Sequence, residues 1–125
     1  MFSADKMVKY KAALESMYDG TLTISEYQKY KRANGSTGHR ETVIQSDIPC
    51  RLSYSNITDT SMNSNGAASV RQVIKLFLAP DIMIKTGSKL TVTQHGRTVD
   101  YKRSGEVAVY DAHQEVILEL FDGWS

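Results

Sequence analysis

The amino-acid sequence predicts a mainly β domain, namely a small antiparallel β-barrel or sandwich with one N-terminal α-helix and a long polar loop. Apolar residues recur at helical spacing near the start of the chain, whereas from residue 21 onward they mostly alternate with polar ones. Turn residues interrupt this alternation about every ten residues, which is typical of small barrels and sandwiches. Helical crossovers between the strand segments are missing, so the strands are expected to be antiparallel.

Length and composition fit a single domain spanning residues 1–125. Hydrophobic residues make up 41% of the 125 residues and charged residues 23%, which is near the globular average. Fifteen basic residues against fourteen acidic ones give a formal charge of +1, so no chain-wide attraction to nucleic acid or acidic lipid is expected. Cys50 is the only cysteine, and no apolar run approaches the length of a membrane span. We therefore expect an intracellular protein without a membrane partner.

The helix is predicted over residues 3–18. Ser3 is placed to cap its first turn, and Asp19-Gly20 supplies the stop. Its apolar residues follow the helical period: Met7, Tyr10, Leu14, Met17 and Tyr18.

The first two strands follow. Alternation from Leu22 and Ile24 predicts a strand over 21–31, and the Asn/Gly-rich run 34–38 predicts a turn. The next strand is expected to bury one face, formed by Ile44, Ile48, Cys50, Leu52 and Tyr54. Because Pro49 cannot donate a ladder hydrogen bond, this strand should lie at an edge or carry a bulge there.

The segment 55–69 is nearly all Ser, Thr, Asn, Asp, Gly and Ala, and it is predicted to be the long polar loop. Apolar residues then occupy both faces of 70–78, the pattern of a strand covered on both sides. The remaining strands are expected around Leu90, Val99 and Val107 and over 113–121. His95-Gly96 suits a two-residue hairpin loop between the first two of these.

No catalytic or metal-binding residues are predicted, and no cofactor is expected. His39, His95 and His113 show no ligand spacing with one another or with Cys50. Cys50 lies on an apolar strand face, where cysteine usually acts as a small buried hydrophobe. The hypothesis of a small hydrolase or metal enzyme would rest only on scattered His, Cys and carboxylate residues. The sequence therefore favours a protein that holds other macromolecules over an enzyme.

One basic, aromatic stretch points to an alternative function, a single-stranded nucleic-acid-binding barrel of the OB type. Aromatic rings can stack on bases while cations meet phosphates. The residues that would form this platform are Tyr27, Lys29, Tyr30, Lys31 and Arg32. The same residue types are also ordinary on an exposed strand, and this interpretation is preferred.

The second half of the chain resembles the head-closure proteins of long-tailed phages and phage-like elements, of the XkdH type from the PBSX element. The resemblance spans residues 40–121. It rests on PDIMIKTGSKLTV at 80–92, Gly96, YKRSGE at 101–106 and YDAHQE at 110–115.

The resemblance implies a structural protein that forms a ring below the portal and its adaptor, closes the DNA-filled head and docks the tail. The implied partners are further copies of the chain, adaptor and tail-side connector proteins, and packaged double-stranded DNA. The implied location is the virion, and the host cytoplasm before assembly. Some family members carry a long polar loop that projects into the channel, and here the corresponding residues are Thr58, Asp59, Thr60, Ser61, Met62, Asn63, Ser64, Asn65 and Gly66.

Overall fold

A computed structural model describes residues 4–62 and 68–124, which form one helix and seven strands. The elements are α1 (Ala4–Glu15), β1 (Gly20–Lys31), β2 (Thr37–Met62), β3 (Ala68–Leu78), β4 (Lys89–Gln94), β5 (Arg97–Arg103), β6 (Ala108–Val109) and β7 (Gln114–Leu120). The predicted cap Ser3 lies outside the described residues. The helix ends at Glu15 rather than 18, because the N–H groups of Met17 and Tyr18 bond three residues back and tighten its last turn.

The strands form one antiparallel sheet that closes on itself. Their order is β3-β2-β1-β4-β5-β7-β6, and β3 also pairs with β7, so six of these strands make a closed ring of hydrogen bonds. The prediction of a mainly β, antiparallel fold with one N-terminal helix is confirmed. Closure pairs the backbone groups that open sheet edges would expose.

Alternating residues of the ring strands fill a single core. Leu22 and Ile24 of β1 meet apolar side chains from the other ring strands, and Leu76, Leu78 and Val116 are fully buried. Phe77, on the outer face of β3, lines a cleft with Leu14 and Met17 from α1 and the segment after it. The expectation that this strand is covered on both sides is therefore only partly met, because the core covers one face whereas on the other face the helical segment lies near Phe77 and Lys75 is only half-buried.

The predicted inner face of the second strand is partly wrong. Ile48, Cys50 and Leu52 are buried as expected, but Ile44 and Tyr54 are 46% and 52% exposed. Ile44 lies in the interval 43–48 where the register shifts, so Gln45 rather than Ile44 lies opposite the core residue Ile24. Tyr54 lies at the other end of the ring-forming part of β2, where the core beneath the strand ends.

Bulges and a local edge accommodate Pro49, as predicted. The register of β1 with β2 shifts between Leu22 and Ile24 and again between Ile24 and Ser25, and Asp47 adopts a positive φ of 57°. On the other side, pairing with β3 ends at Cys50, one residue after Pro49.

Two hairpin arms extend from the two ends of β2. β1 pairs with β4 only over 21–25, so residues 26–42 form a β1–β2 arm whose strands pair only with each other in the described structure. β3 pairs with β7 only from Ile74 onward, so residues 55–62 and 68–73 form a β2–β3 arm of the same kind.

The prediction of a long loop over 55–69 is wrong for most of this segment, because its described residues form the β2–β3 arm. Residues 55–62 and 68–69 are strand, paired from Ser55↔Val73 to Met62↔Ala68. Cross-strand bonding satisfies the backbone of this polar segment, so strand formation does not require an apolar face.

Candidate functional site

The residues predicted to gate a channel fall on the β2–β3 arm. Thr58 and Asp59 pair with Val70 and Ser69, and the register shifts between Asp59 and Met62, the interval that contains Thr60 and Ser61. Asn63, Ser64, Asn65 and Gly66 lie outside the described residues. The described part of the predicted gate is therefore the end of a two-stranded arm.

The predicted nucleic-acid platform falls on the β1–β2 arm and is divided between its two faces. Successive strand residues point to opposite faces, which separates Tyr27, Lys29 and Lys31 from Tyr30. The Tyr30 ring lies under two guanidinium groups, with the carbon of Arg40 at 4.8 Å and that of Arg32 at 5.8 Å from its centroid. The five residues thus do not form one continuous stacking surface.

The Tyr27 ring belongs to an aromatic cluster that the sequence reasoning missed. It stacks on His39 and on Trp124, each at 5.3 Å between centroids. Trp124 also meets Phe121 edge to face at 4.9 Å. A hairpin register centred on the Asn34-Gly35 turn would have placed His39 opposite Lys29 and therefore near Tyr27. No local pattern in the sequence could have predicted the contact between Tyr27 and Trp124, which are far apart in the chain.

A groove of about 670 Å³ opens beside this aromatic cluster. One wall is the start of the β1–β2 arm, with Glu26, Tyr27 and Lys29, and the opposite wall is the loop 85–88 before β4. Arg103 braces that loop by donating to the Ile84 carbonyl at 2.8 Å and to Thr86 Oγ1 at 2.7 Å. The C-terminal segment 121–124 closes the remaining side.

Some of the charged side chains that line the groove form ion pairs with one another. Lys102 contacts Asp122 at 2.8 Å and Glu119 at 3.3 Å. Hydrogen bonds to these carboxylates raise the pKa of Lys102, and the same contact lowers the pKa of Asp122. In contrast, Lys29 and Lys85 make no ion pair with any residue that the structure describes. The groove therefore presents two uncommitted cations.

A smaller apolar cleft of about 270 Å³ lies between the helical segment and the sheet. His113 borders it, stacking on Tyr110 at 4.8 Å, with its Nε2 3.0 Å from Glu115 Oε2. Its buried Nδ1 has no partner among the described atoms. His113 directly precedes the last strand instead of starting it, and only one of its two ring nitrogens has a described partner.

The remaining singled-out residues have local structural roles. Cys50 is fully buried, and burial raises the pKa of its thiol to about 12, which disfavours the reactive thiolate. His95 and Gly96 both adopt positive φ, 53° and 76°, and join β4 to β5 as the predicted two-residue turn.

Two searches of the described residues gave negative results. No cluster of three or more His, Cys, Asp or Glu side chains could hold a metal ion there. None of the helical structure in the described ranges is long and apolar enough to cross a membrane.

Comparison with known proteins gives one low-identity structural similarity. No protein-family model matches the chain, and no curated protein is significantly similar to it. Among solved structures, the chain is similar to the phage-like element PBSX protein xkdH from Bacillus subtilis, with 11% identity and a TM-score of 0.47. The similarity covers 82% of this chain and 92% of that one, and at this level it does not assign the chain to a family.

Proposed function

We propose that this chain is a structural protein of a phage or prophage head-tail connector. It forms a homo-oligomeric ring below the portal and adaptor, closes the DNA-filled head and offers a docking surface for the tail. The observation that carries the proposal is the polar β2–β3 arm, which extends from a closed ring of strands. This arm includes described residues that correspond to the channel loop of the head-closure proteins that the sequence resembles.

The dimensions of the β2–β3 arm suit a channel gate. Residues 55–62 of β2 span about 25 Å at the usual rise of a strand. In an assembled ring, an arm of this length would be long enough to extend from the barrel wall into a central channel. Because an isolated two-stranded hairpin is only marginally stable, such an arm can be repositioned at low cost in free energy.

The composition of this arm suits contact with packaged DNA without tight binding. Asp59 is the only charged residue between 55 and 70, and the first cation after it is Arg71. Affinity for DNA is dominated by cations that neutralise phosphates, so a gate formed by residues 58–66, which contain no Lys or Arg, does not retain DNA during ejection.

Neighbouring copies, adaptor and tail-side proteins would contact the outer surface and the edges of the arms.

The test is to shorten the arm in assembled particles. Replacing residues 61–67 by an Asn-Gly turn keeps a hairpin but removes its tip, and we expect heads that package DNA and then lose it. Genome content is measured by electron microscopy and by nuclease protection of the packaged DNA. The matched control scrambles 61–67 at constant length and is expected to retain the genome. Full retention and normal infectivity of the shortened variant would contradict the gating role.

A further inference from the structure

We propose that the groove beside the β1–β2 arm binds an extended acidic segment of a partner polypeptide, which adds to the free edge of β1 in line with β4. The inference goes beyond the connector role and does not depend on it. It rests on an uncovered strand edge, a groove at the same place, and the charge of the groove.

The uncovered edge begins where β4 starts. β4 pairs with β1 from Thr21↔Thr93 to Ser25↔Lys89, whereas β1 continues to Lys31. Over 26–31, no strand in the described part of the chain pairs with β1 on the β4 side. Alternate residues of such an edge direct their N–H and C=O groups outward, where an added strand can bond to them.

The groove provides room for that strand. Tyr27 and Lys29 of the free edge line the groove together with the loop 85–88. β4 begins only at Lys89, so this loop does not occupy the position next to β1. The added segment would therefore continue the position of β4 along β1. The aromatic cluster of Tyr27 and Trp124 supplies an apolar surface for alternate side chains of the segment.

Charge selects an acidic segment. Lys29 and Lys31 on the edge and Lys85 on the facing loop make no ion pair with any described residue. The groove carboxylates Glu119 and Asp122 are held by Lys102, which leaves Glu26 as the one acid of the lining without a described partner. Opposite charge across an interface speeds encounter and selects the partner.

A polypeptide fits this edge better than a nucleic acid does. The outward C=O groups of β1 require donors at strand spacing, and a peptide backbone supplies them together with matching acceptors. A sugar-phosphate chain supplies acceptors for the lysines but no regular row of donors. The free edge therefore favours addition of a strand over binding of single-stranded nucleic acid.

The experiment uses the full chain and the fluorescence of Trp124, its single tryptophan. The probe is a capped hexapeptide of alternating glutamate and valine, and hydrogen exchange is followed at the same time. We expect a saturable change in Trp124 emission and new protection of alternate amides within 26–31. The double variant Lys29→Glu/Lys85→Glu should bind about ten-fold more weakly, because like charges oppose the probe. Lys9→Glu, on the exposed surface of α1, should bind like the parent chain.

Four results would each overturn the proposal, two by excluding its binding mode and two by identifying a different occupant of the groove. Equal binding of a capped hexapeptide of alternating lysine and valine would exclude charge selection. Equal binding of a glutamate–valine probe N-methylated at every residue, which removes the N–H donors of both strand edges, would exclude strand addition. If oligothymidylate changes Trp124 emission and the acidic peptide does not, the groove binds nucleic acid. Self-association detected by light scattering, with protection of the same amides, would assign the edge to a second copy of the chain.

Discussion

Gln94 satisfies backbone groups that β2 leaves unpaired as it diverges from β1. Pairing between these strands stops at Gly20↔Cys50, so Leu52, two residues on, has no described strand partner on that side. The Gln94 side chain replaces it: Oε1 accepts the Leu52 N–H at 2.8 Å, and Nε2 donates to the Leu52 carbonyl at 3.4 Å. One amide from β4 thus completes the ladder where the ring meets the β2–β3 arm.

Gln94→Ala is expected to lower the free energy of unfolding by about 1–3 kcal/mol, because it leaves a buried N–H without an acceptor. Urea denaturation measures the change. The same substitution at exposed Gln28, on the β1–β2 arm, should change stability by less than about 0.5 kcal/mol. Equal effects at the two positions would show that the bridge to Leu52 contributes nothing.

At the scale of elements, the C-terminal segment fastens the β1–β2 arm to the ring. The Phe121 N–H donates to the Asp100 carbonyl at 3.1 Å, and Trp124 then reaches the Tyr27 ring on the arm. A second tie joins Lys89 of β4 to Glu41 at 2.6 Å. The arm is therefore held at its base by one aromatic stack and one ion pair.

Trp124→Ala is expected to speed hydrogen exchange of amides in the arm, residues 26–42, about three- to ten-fold, with little change in the ring. The reason is the loss of an aromatic pair that contributes about 0.5–1.5 kcal/mol. Exchange followed residue by residue by NMR measures this. Tyr110→Ala removes the stack with His113 away from the arm and should leave exchange in the arm unchanged. Uniform acceleration through the chain would contradict the local role of Trp124.

At the scale of the whole molecule, pairing of β3 with β7 closes the ring and joins distant parts of the chain. Leu76 lies opposite Val116, and both are fully buried. Contacts over such separations cost loop-closure entropy before they stabilise the fold, so we expect closure to follow the formation of the local hairpins.

A chain ending at residue 113 lacks β7, and it is expected to lose the native sheet and aggregate, since β3 and β5 would then expose unpaired edges. Circular dichroism and size-exclusion chromatography measure the loss. A chain ending at Leu120 keeps every β7 pairing and should stay folded while losing the tie to Tyr27. A folded, monomeric product from the shorter chain would show that ring closure is dispensable.

Local patterns predicted the elements with strong alternation or distinctive turns. The first strand was expected over 21–31 and is Gly20–Lys31, and the last was expected over 113–121 and is Gln114–Leu120. The segment 55–69 was not recognised as strand, since its sequence is almost entirely polar and carries little hydrophobic alternation. The platform at 27–32 was predicted from composition, and pleating separates Tyr27 from Tyr30.

Side-chain alternation and backbone preferences are local properties, and they were enough to predict which residues face the core in the middle of the ring strands and where most of the turns lie. Three features could be seen only in the folded chain: β3 pairs with β7, β2 extends beyond the ring at both ends, and Trp124 lines a groove beside Tyr27. These features depend on pairing between residues far apart in the chain, and hydrophobic alternation is equally compatible with many such pairings.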